Sequence, residues 1–223
     1  MVPGPAKPDC VARACLLGWE EMANYTATDL VEMGSLPPSA LEACAKCAVE
    51  RRNVLVTGIA GSGKTTLLRA LAGLLPKVEP VLVLDDGEGL DLAGPSRERV
   101  SLSRGDTADS PRQAVARSIR AGPRRLVIGN VCPPEAGEIL RALVSGRHDG
   151  SLLATSAGSA EKALRQLATW SLGDGFSWDQ ACRGISAGIH LVVGVAREPD
   201  GFHRVAEVAH VAPAGDGWKL RPA

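Results

Sequence analysis

A chain of 223 residues with 25 Lys and Arg against 25 Asp and Glu can bury one full α/β core, and its zero net charge indicates no general attraction to nucleic acid. No run approaches the ~18 apolar residues of a membrane span, and the first residues lack the basic-then-apolar pattern of a secretory signal. The expectation is a soluble, cytoplasmic protein.

Residues 1–25 are Pro-rich and then weakly helical, and are expected to be a flexible terminal segment ahead of one domain spanning 26–223. A capped helix opens at Thr26 and stops at Gly34; Pro37 and Pro38 precede a second helix through Arg52. Cys44 and Cys47 form a CxxC in that second helix, and with Cys10 and Cys15 upstream a four-thiolate zinc site can be drawn. Against it, metal-binding CxxC pairs usually sit in tight turns and the Cys10 to Cys15 spacing is loose, whereas on a helix Cys44 and Cys47 share one face that can simply be buried, so two small apolar side chains are the favoured reading. Disulfides are not expected in a cytoplasmic chain.

Residues 53–57 are an apolar run of strand length, and GIAGSGKTT follows, from Gly58 to Thr66. It fits G-x-x-x-x-G-K-[ST], with Gly58, Gly63, Lys64 and Thr65 at the fixed positions. Through Gly61, Ser62 and Gly63 successive backbone N–H groups can turn inward around a polyphosphate. Lys64 is placed to neutralise the β- and γ-phosphates and the Thr65 hydroxyl to ligate Mg²⁺. Thr65 and Thr66 open a helix whose N-terminal partial positive charge points at the same phosphates. Leu67, Leu68, Leu71, Leu74 and Leu75 then recur at helical spacing, completing the strand, loop and helix that the motif needs. These residues imply a bound nucleoside triphosphate.

VEPVLVLDD reads as a second strand that ends in Asp85 and Asp86, with Glu88 after a glycine. This acidic cluster is either a solvated turn or a group able to manage Mg²⁺ and an attacking water, the latter because the second strand is expected to end beside the phosphate loop. RVSLS is a short strand, and Ser110 with Pro111 starts a helix reaching Ala121. RRLVIGN is a buried strand, a helix covers 135–145, SLLATS is a strand, and Ser159 begins an amphipathic helix to residue 172. IHLVVGVAR and FHRVAEVAHV, joined by EPDG, form a β-hairpin. Strands alternating with helices and then a hairpin imply a mostly parallel sheet with an antiparallel edge. Trp170 and Trp178 are expected in the core, and His190, His203 and His210 on the hairpin surface. Arg104, Arg120 and Arg125 suit either inter-subunit or phosphate-sensing roles or solvated faces.

The run DLVEMGSLPPSALEACAKCAVERRNVLVTGIAGSGKTTLLRALAGLLP resembles the type II/type IV secretion-system ATPases, and within them the branch that drives Tad/Flp-type pilus assembly. That family shows a DLVxxGxL helix, a helix ending in RRN, then a strand and GGTGSGKTTLLNAL. The likeness continues through GPRRLVIGN, against the family's RPDRIIVGE, and HDGSL, and covers roughly residues 26–212. It implies a RecA-like P-loop NTPase fold, with ATP and Mg²⁺ as cofactors held by the loop residues and, for the metal, Thr65 and Asp86. It also implies an oligomeric ring, a hexamer by analogy, docked on an inner-membrane secretion or pilus platform, and a place for His148 near the nucleotide; the family's separate N-terminal domain, which closes over the nucleotide, has no expected counterpart in the few residues in front of residue 26. By the same analogy the strand ending at Asn130 lies beside the phosphate-loop strand.

The departures are specific. The family's EDTAEL reads DDGEGL here, keeping Asp85 and Asp86 and displacing the second glutamate to Glu88. Asn130 stands where the family's Walker B glutamate ends its strand, and Cys132 replaces an arginine. LATSAG replaces STIHAN, which puts Ser156 at the histidine, and Arg147 is inserted before His148. An amide is a poor base, so binding is favoured more strongly than turnover. Two functions follow: a motor ATPase using Lys64, Asp85, Asp86, Glu88 and Asn130, or a non-hydrolysing nucleotide-binding partner that completes a ring of active homologues. A small-molecule P-loop kinase is compatible with the length, but no Arg-rich lid is evident.

Overall fold

Uninterrupted apolar strands need cover on both faces, and here they have it. The computed structural model describes residues 25–85, 90, 92, 96–101, 110–122 and 124–223. Within it, β1 (Val54–Gly58), β2 (Val81–Asp85) and β4 (Arg125–Ile128) are buried at every residue. With β3 (Arg97–Ser101), β5 (Leu152–Ser156), β6 (Leu191–Arg197), β7 (His203–Ala214) and β8 (Gly217–Pro222) they form one sheet among the described residues, in the order β3-β2-β4-β5-β1-β6-β7-β8. β3 through β6 in that order pair in parallel, and β7 and β8 add antiparallel strands at the edge.

Alternate residues serve opposite faces, as period-two geometry requires. Val54 and Val56 pack with α1 (Ala27–Glu32), α2 (Pro38–Val49) and α3 (Lys64–Ala72). Leu55, Leu126 and Ile128 pack with α4 (Pro111–Arg120), α5 (Ala136–Val144), α6 (Ala160–Leu172) and α7 (Trp178–Gly188). Local sequence starts these helices. Thr26 with Asp29, Ser110 with Gln113 and Ser177 with Gln180 each form a reciprocal capping box, which satisfies N-terminal N–H groups that have no partner within the helix. Cys44 and Cys47 lie buried on α2, and burial pushes the Cys44 thiol up to about 12, so it acts as a small apolar side chain. Cys10 and Cys15 lie outside the described residues.

Several expectations change. β5 lies between β4 and β1, so the strand leading to Asn130 is two places from the phosphate-loop strand, and β2 is three places away. At ~4.8 Å per step, β2 therefore does not end beside the loop. Neighbours in a parallel sheet depend on crossovers that no local pattern encodes. Trp178 is 42% exposed, because as the first residue of α7 it precedes the face that packs inward, whereas Trp170 does pack against the core. His148 is buried before β5 begins, at the end of the sheet opposite the loop, with Nδ1 2.9 Å from the Arg124 carbonyl oxygen. α7 and β8 have no counterpart in the sequence reading.

Arg125 is neither solvated nor a phosphate sensor. At 1% exposure it donates to both Glu79 oxygens (2.5 and 3.2 Å) and to the carbonyls of Ala48 and Gly150 (3.0 and 3.2 Å). Its hydrogen bonds, its charge and the nearby Arg51 hold the Glu79 carboxyl below the usual carboxylate range. A depressed folded-state pKa gives stability that is present above the unfolded value and lost as pH falls through the folded one. Glu79→Gln should therefore lower stability at pH 7 by about 2–3 kcal/mol and remove part of the acid-induced loss below pH ~4.5. Denaturant unfolding across pH 3 to 7 tests this; equal stability of the two proteins at pH 7 would show that the pair contributes nothing.

Candidate functional site

β1 turns into α3 through the glycine loop at the C-terminal end of the parallel strands. The chain leaves β1 toward β2 on one side and leaves β5 toward β6 on the other. Ligands of open α/β sheets sit in the crevice where strand order reverses in this way. Register puts Gly58 opposite Ser156, so that crevice opens between the loop and the end of β5. Thr57 Oγ1 donates to the Ala157 carbonyl at 3.1 Å and ties the two strand ends together.

The loop's shape needs its glycines. A Cβ on Gly58 would overlap the Val195 carbonyl oxygen and the Ser62 hydroxyl. Gly63 has φ 95°, a left-handed conformation, and a Cβ there would lie 2.9 Å from Nδ1 of His203. α3 begins directly at Lys64, aiming its first N–H groups into the loop. Lys64 Nζ donates to the Ile59 carbonyl at 2.9 Å, the Ser62 hydroxyl is buried with no hydrogen-bond partner, and Thr65 and Thr66 are half-buried beside them. A lysine resting on its own loop, a buried hydroxyl without a partner and a helix N-terminus form a charge-complementary cradle for polyphosphate. These residues fit Mg-nucleoside triphosphate, and the Thr65 hydroxyl would be the group to ligate the metal.

The groups that would act on water are differently disposed. Asn130, just past β4, spends its amide nitrogen on Cys132 Sγ at 3.4 Å, and its buried Oδ1 has no partner. That oxygen can accept a hydrogen bond from a water but cannot take its proton. Asp85 is fully buried; its Oδ2 accepts from Arg99 at 2.6 Å and from the Leu90 N–H at 3.3 Å, while Oδ1 has no partner. A guanidinium therefore already neutralises this carboxylate. Asp86, Glu88 and Arg104 lie outside the described residues. Ser156 is exposed at the end of β5, and its hydroxyl has neither the ring nor the basic nitrogen of a histidine. Arg120 is exposed near the end of α4.

The sequence reading missed a neighbour of the loop, the β6–β7 hairpin. An irregularity between Gly194 and Val195 shifts its register, and the Val205 N–H bonds the Ser35 carbonyl at 2.8 Å, fixing the hairpin against the turn after α1. The result is a cleft of about 420 Å³ between α1, the start of α3 and the hairpin. His203, expected on the surface, stands in it against Gly63, and burial followed by the nearby Arg197 holds its pKa below the ordinary histidine value. His190 is also half-buried and accepts the Asn53 N–H at 3.1 Å; burial is the main cause of its lowered pKa. A histidine followed by an arginine within an alternating strand gave no sign of either contact.

Three kinds of similarity meet here. A Mycobacterium tuberculosis protein assigned to conjugal transfer is 29% identical over 191 residues, covering 84% of this chain and 54% of that protein. Conjugal transfer protein TrbB of Rhizobium radiobacter is 30% identical over 164 residues, covering 72% and 49% respectively. The chain thus spans about half the length of the curated relatives it matches. In fold it is similar to the VirB11 ATPase of the Brucella suis type IV secretion system, solved in complex with sulphate, with a TM-score of 0.68 at 22% identity, covering 94% of this chain and 64% of that one. That likeness shows the RecA-like sheet with its C-terminal antiparallel strands. Residues 20–194 match the profile described as type II/IV secretion system protein, and the chain belongs to that family.

Proposed function

We propose that this chain is the nucleotide-binding core of a ring-forming secretion motor, binding ATP with Mg²⁺ and coupling binding and slow hydrolysis to protein secretion or pilus assembly. The observation that carries this is the cradle of Gly58, Gly61, Ser62, Gly63, Lys64, Thr65 and Thr66, complete between β1 and α3 in a chain of this family. Conjugal transfer, the process named for two relatives, and Tad/Flp-type pilus assembly, which the sequence motifs resemble, are forms of the same work. By the same resemblance the ring is a hexamer, of this chain or with homologues, at the cytoplasmic face of an inner-membrane platform. No helix among the described residues is long and apolar enough to cross a membrane.

Turnover is slow because its chemistry is under-supplied. Asn130 takes the place of a carboxylate base, and Asp85 is held by Arg99. Asp86 and Glu88 are the remaining acidic candidates, Asp86 with Thr65 toward Mg²⁺. This pattern also supports a second reading, in which the chain binds nucleotide without hydrolysing it and completes a ring of active homologues. No observation remains for a small-molecule kinase.

Two measurements bear on this. Lys64→Ala should weaken MgATP binding by about 2–3 kcal/mol through loss of a charge-assisted phosphate contact. Calorimetric titration giving equal affinity for both proteins would remove the loop from the site. Asn130→Glu should raise steady-state ATP hydrolysis by about tenfold or more, and Ser156→His by less, because a histidine there would meet phosphate without activating water. A wild-type rate of ~1 per second or faster would place the chemistry on other residues and end the slow-motor reading.

A further inference from the structure

At the N-terminal edge of the sheet three chain tips carry exposed valines. Val49 ends α2 just before β1, Val78 lies in the turn just before β2, and Val144 ends α5 ahead of β5. Val49 is 82% exposed and Val78 86%, the highest among the large apolar side chains exposed in the described residues, and Val144 is 48% exposed. Arg125 ties these tips to one edge: its partners Ala48 and Glu79 adjoin Val49 and Val78, and its partner Gly150 lies in the turn that follows α5. Cations accompany each tip. Arg51 and Arg52 follow Val49, Lys77 precedes Val78, and Arg147 follows Val144. Arg120 comes to the same edge at the end of α4, just before β4. We propose that this edge docks on an anionic phospholipid bilayer, with the valines entering the headgroup layer and the cations facing lipid phosphates. The proposal does not depend on nucleotide binding at the loop.

Charge selects the partner. The chain has no net charge, so attraction to an anionic surface has to be local. Most carboxylates of this edge are committed: Glu50 pairs with Lys46 at 3.9 Å and Arg52 at 2.9 Å, Glu79 with Arg51 at 2.7 Å and Arg125 at 2.5 Å, and Glu98 with Arg124. Lys77, Arg120 and Arg147 are exposed and have no ion pair among the described residues, against which only the half-buried Asp149 remains. Shape points the same way. At more than four-fifths exposure, Val49 and Val78 have no wall beside them with which to form a groove for a folded partner. A soft headgroup layer accepts such separate tips. Apolar insertion and basic side chains are also the two signals that together hold a protein on a membrane where either alone is marginal. The phosphate loop, at the opposite edge of the sheet, then faces the aqueous side.

Co-sedimentation of the whole chain with vesicles of equal parts phosphatidylglycerol and phosphatidylcholine, against vesicles of phosphatidylcholine alone, tests this. Wild type should partition onto the anionic vesicles, lose most of that partition as salt rises from about 0.05 to 0.5 M, and stay off the zwitterionic ones. Lys77→Gln and Arg147→Gln should each lower the partition coefficient about fivefold at low salt and flatten its salt dependence. Val49→Ser and Val78→Ser should each lower it about threefold or more and leave the salt dependence as in wild type. These four side chains are exposed, so the variants should keep the wild-type thermal unfolding. Arg165→Gln on α6 and Lys64→Ala in the loop should partition as wild type does. Absence of wild-type binding to anionic vesicles, equal binding to both vesicle types, unchanged binding in all four edge variants, or an equal loss in Arg165→Gln would overturn the proposal. So would a lower oligomer mass of Val49→Ser or Val78→Ser in lipid-free solution, which would make this edge a contact between copies of the chain.

Discussion

The guanidinium of Arg125 is only 1% exposed, so its N–H groups must find acceptors in the elements around it. Glu79 comes from the turn before β2, Ala48 from the last turn of α2, and Gly150 from the turn before β5, with Arg125 itself opening β4. One guanidinium thereby fixes the N-terminal edge of three strands and a helix relative to one another. Gly150 is part of the same constraint: it has φ 82°, and a Cβ there would overlap the guanidinium. Because strands of four or five residues are rigid at this length, pinning one end sets where the other ends emerge. The crevice at the C-terminal edge is positioned from below.

At that upper edge the same sheet brings together groups distant in sequence. Gly58 meets Ser156 by register, Thr57 meets Ala157 by a hydrogen bond, and Val195 closes over Gly58 from the other side. The loop has no freedom to enlarge inward, since Gly58 and Ser62 already fill the space under it. Its open sides are the crevice toward Ser156 and the cleft toward the hairpin. The phosphate recognition proposed above would be made by backbone and a lysine, leaving the neighbouring strand ends to supply what distinguishes one subunit's chemistry from another's.

Much of this was legible along the chain because it is local. Capping residues at Thr26, Ser110 and Ser159, the strand–loop–helix around Lys64, and the burial of Cys44 and Cys47 on one helix face each follow from residues within a turn or two of one another. The order of strands did not follow, since the place of β5 between β1 and β4 is set by crossovers through α3 and α5 and by the contacts at Arg125. α7 was hidden because Gly184 and Gly188 dilute a helical pattern, yet these are the positions where α7 approaches Leu140 and Leu143 of α5. Arg125, which from sequence suits an inter-subunit or phosphate-sensing role or a solvated face, shows the same limit: its partners lie 25 to 77 residues away.

The site residues divide along the same line, and the division has a chemical consequence. Binding depends on the loop, whose groups are consecutive. The turnover considered above would draw on groups delivered by β2 and β4, which reach the crevice only through the sheet. At the ends of those strands this chain has an amide at Asn130 and an ion-paired acid at Asp85. Their buried Oδ1 atoms both lack partners, so this side of the crevice still offers acceptors for metal-bound water. Asn130 carries no charge, and the charge of Asp85 faces Arg99. An amide oxygen can orient a water without taking its proton. In the function proposed above, this arrangement favours holding a nucleotide over splitting it, and a ring containing such a subunit would draw on binding energy more than on hydrolysis at this site.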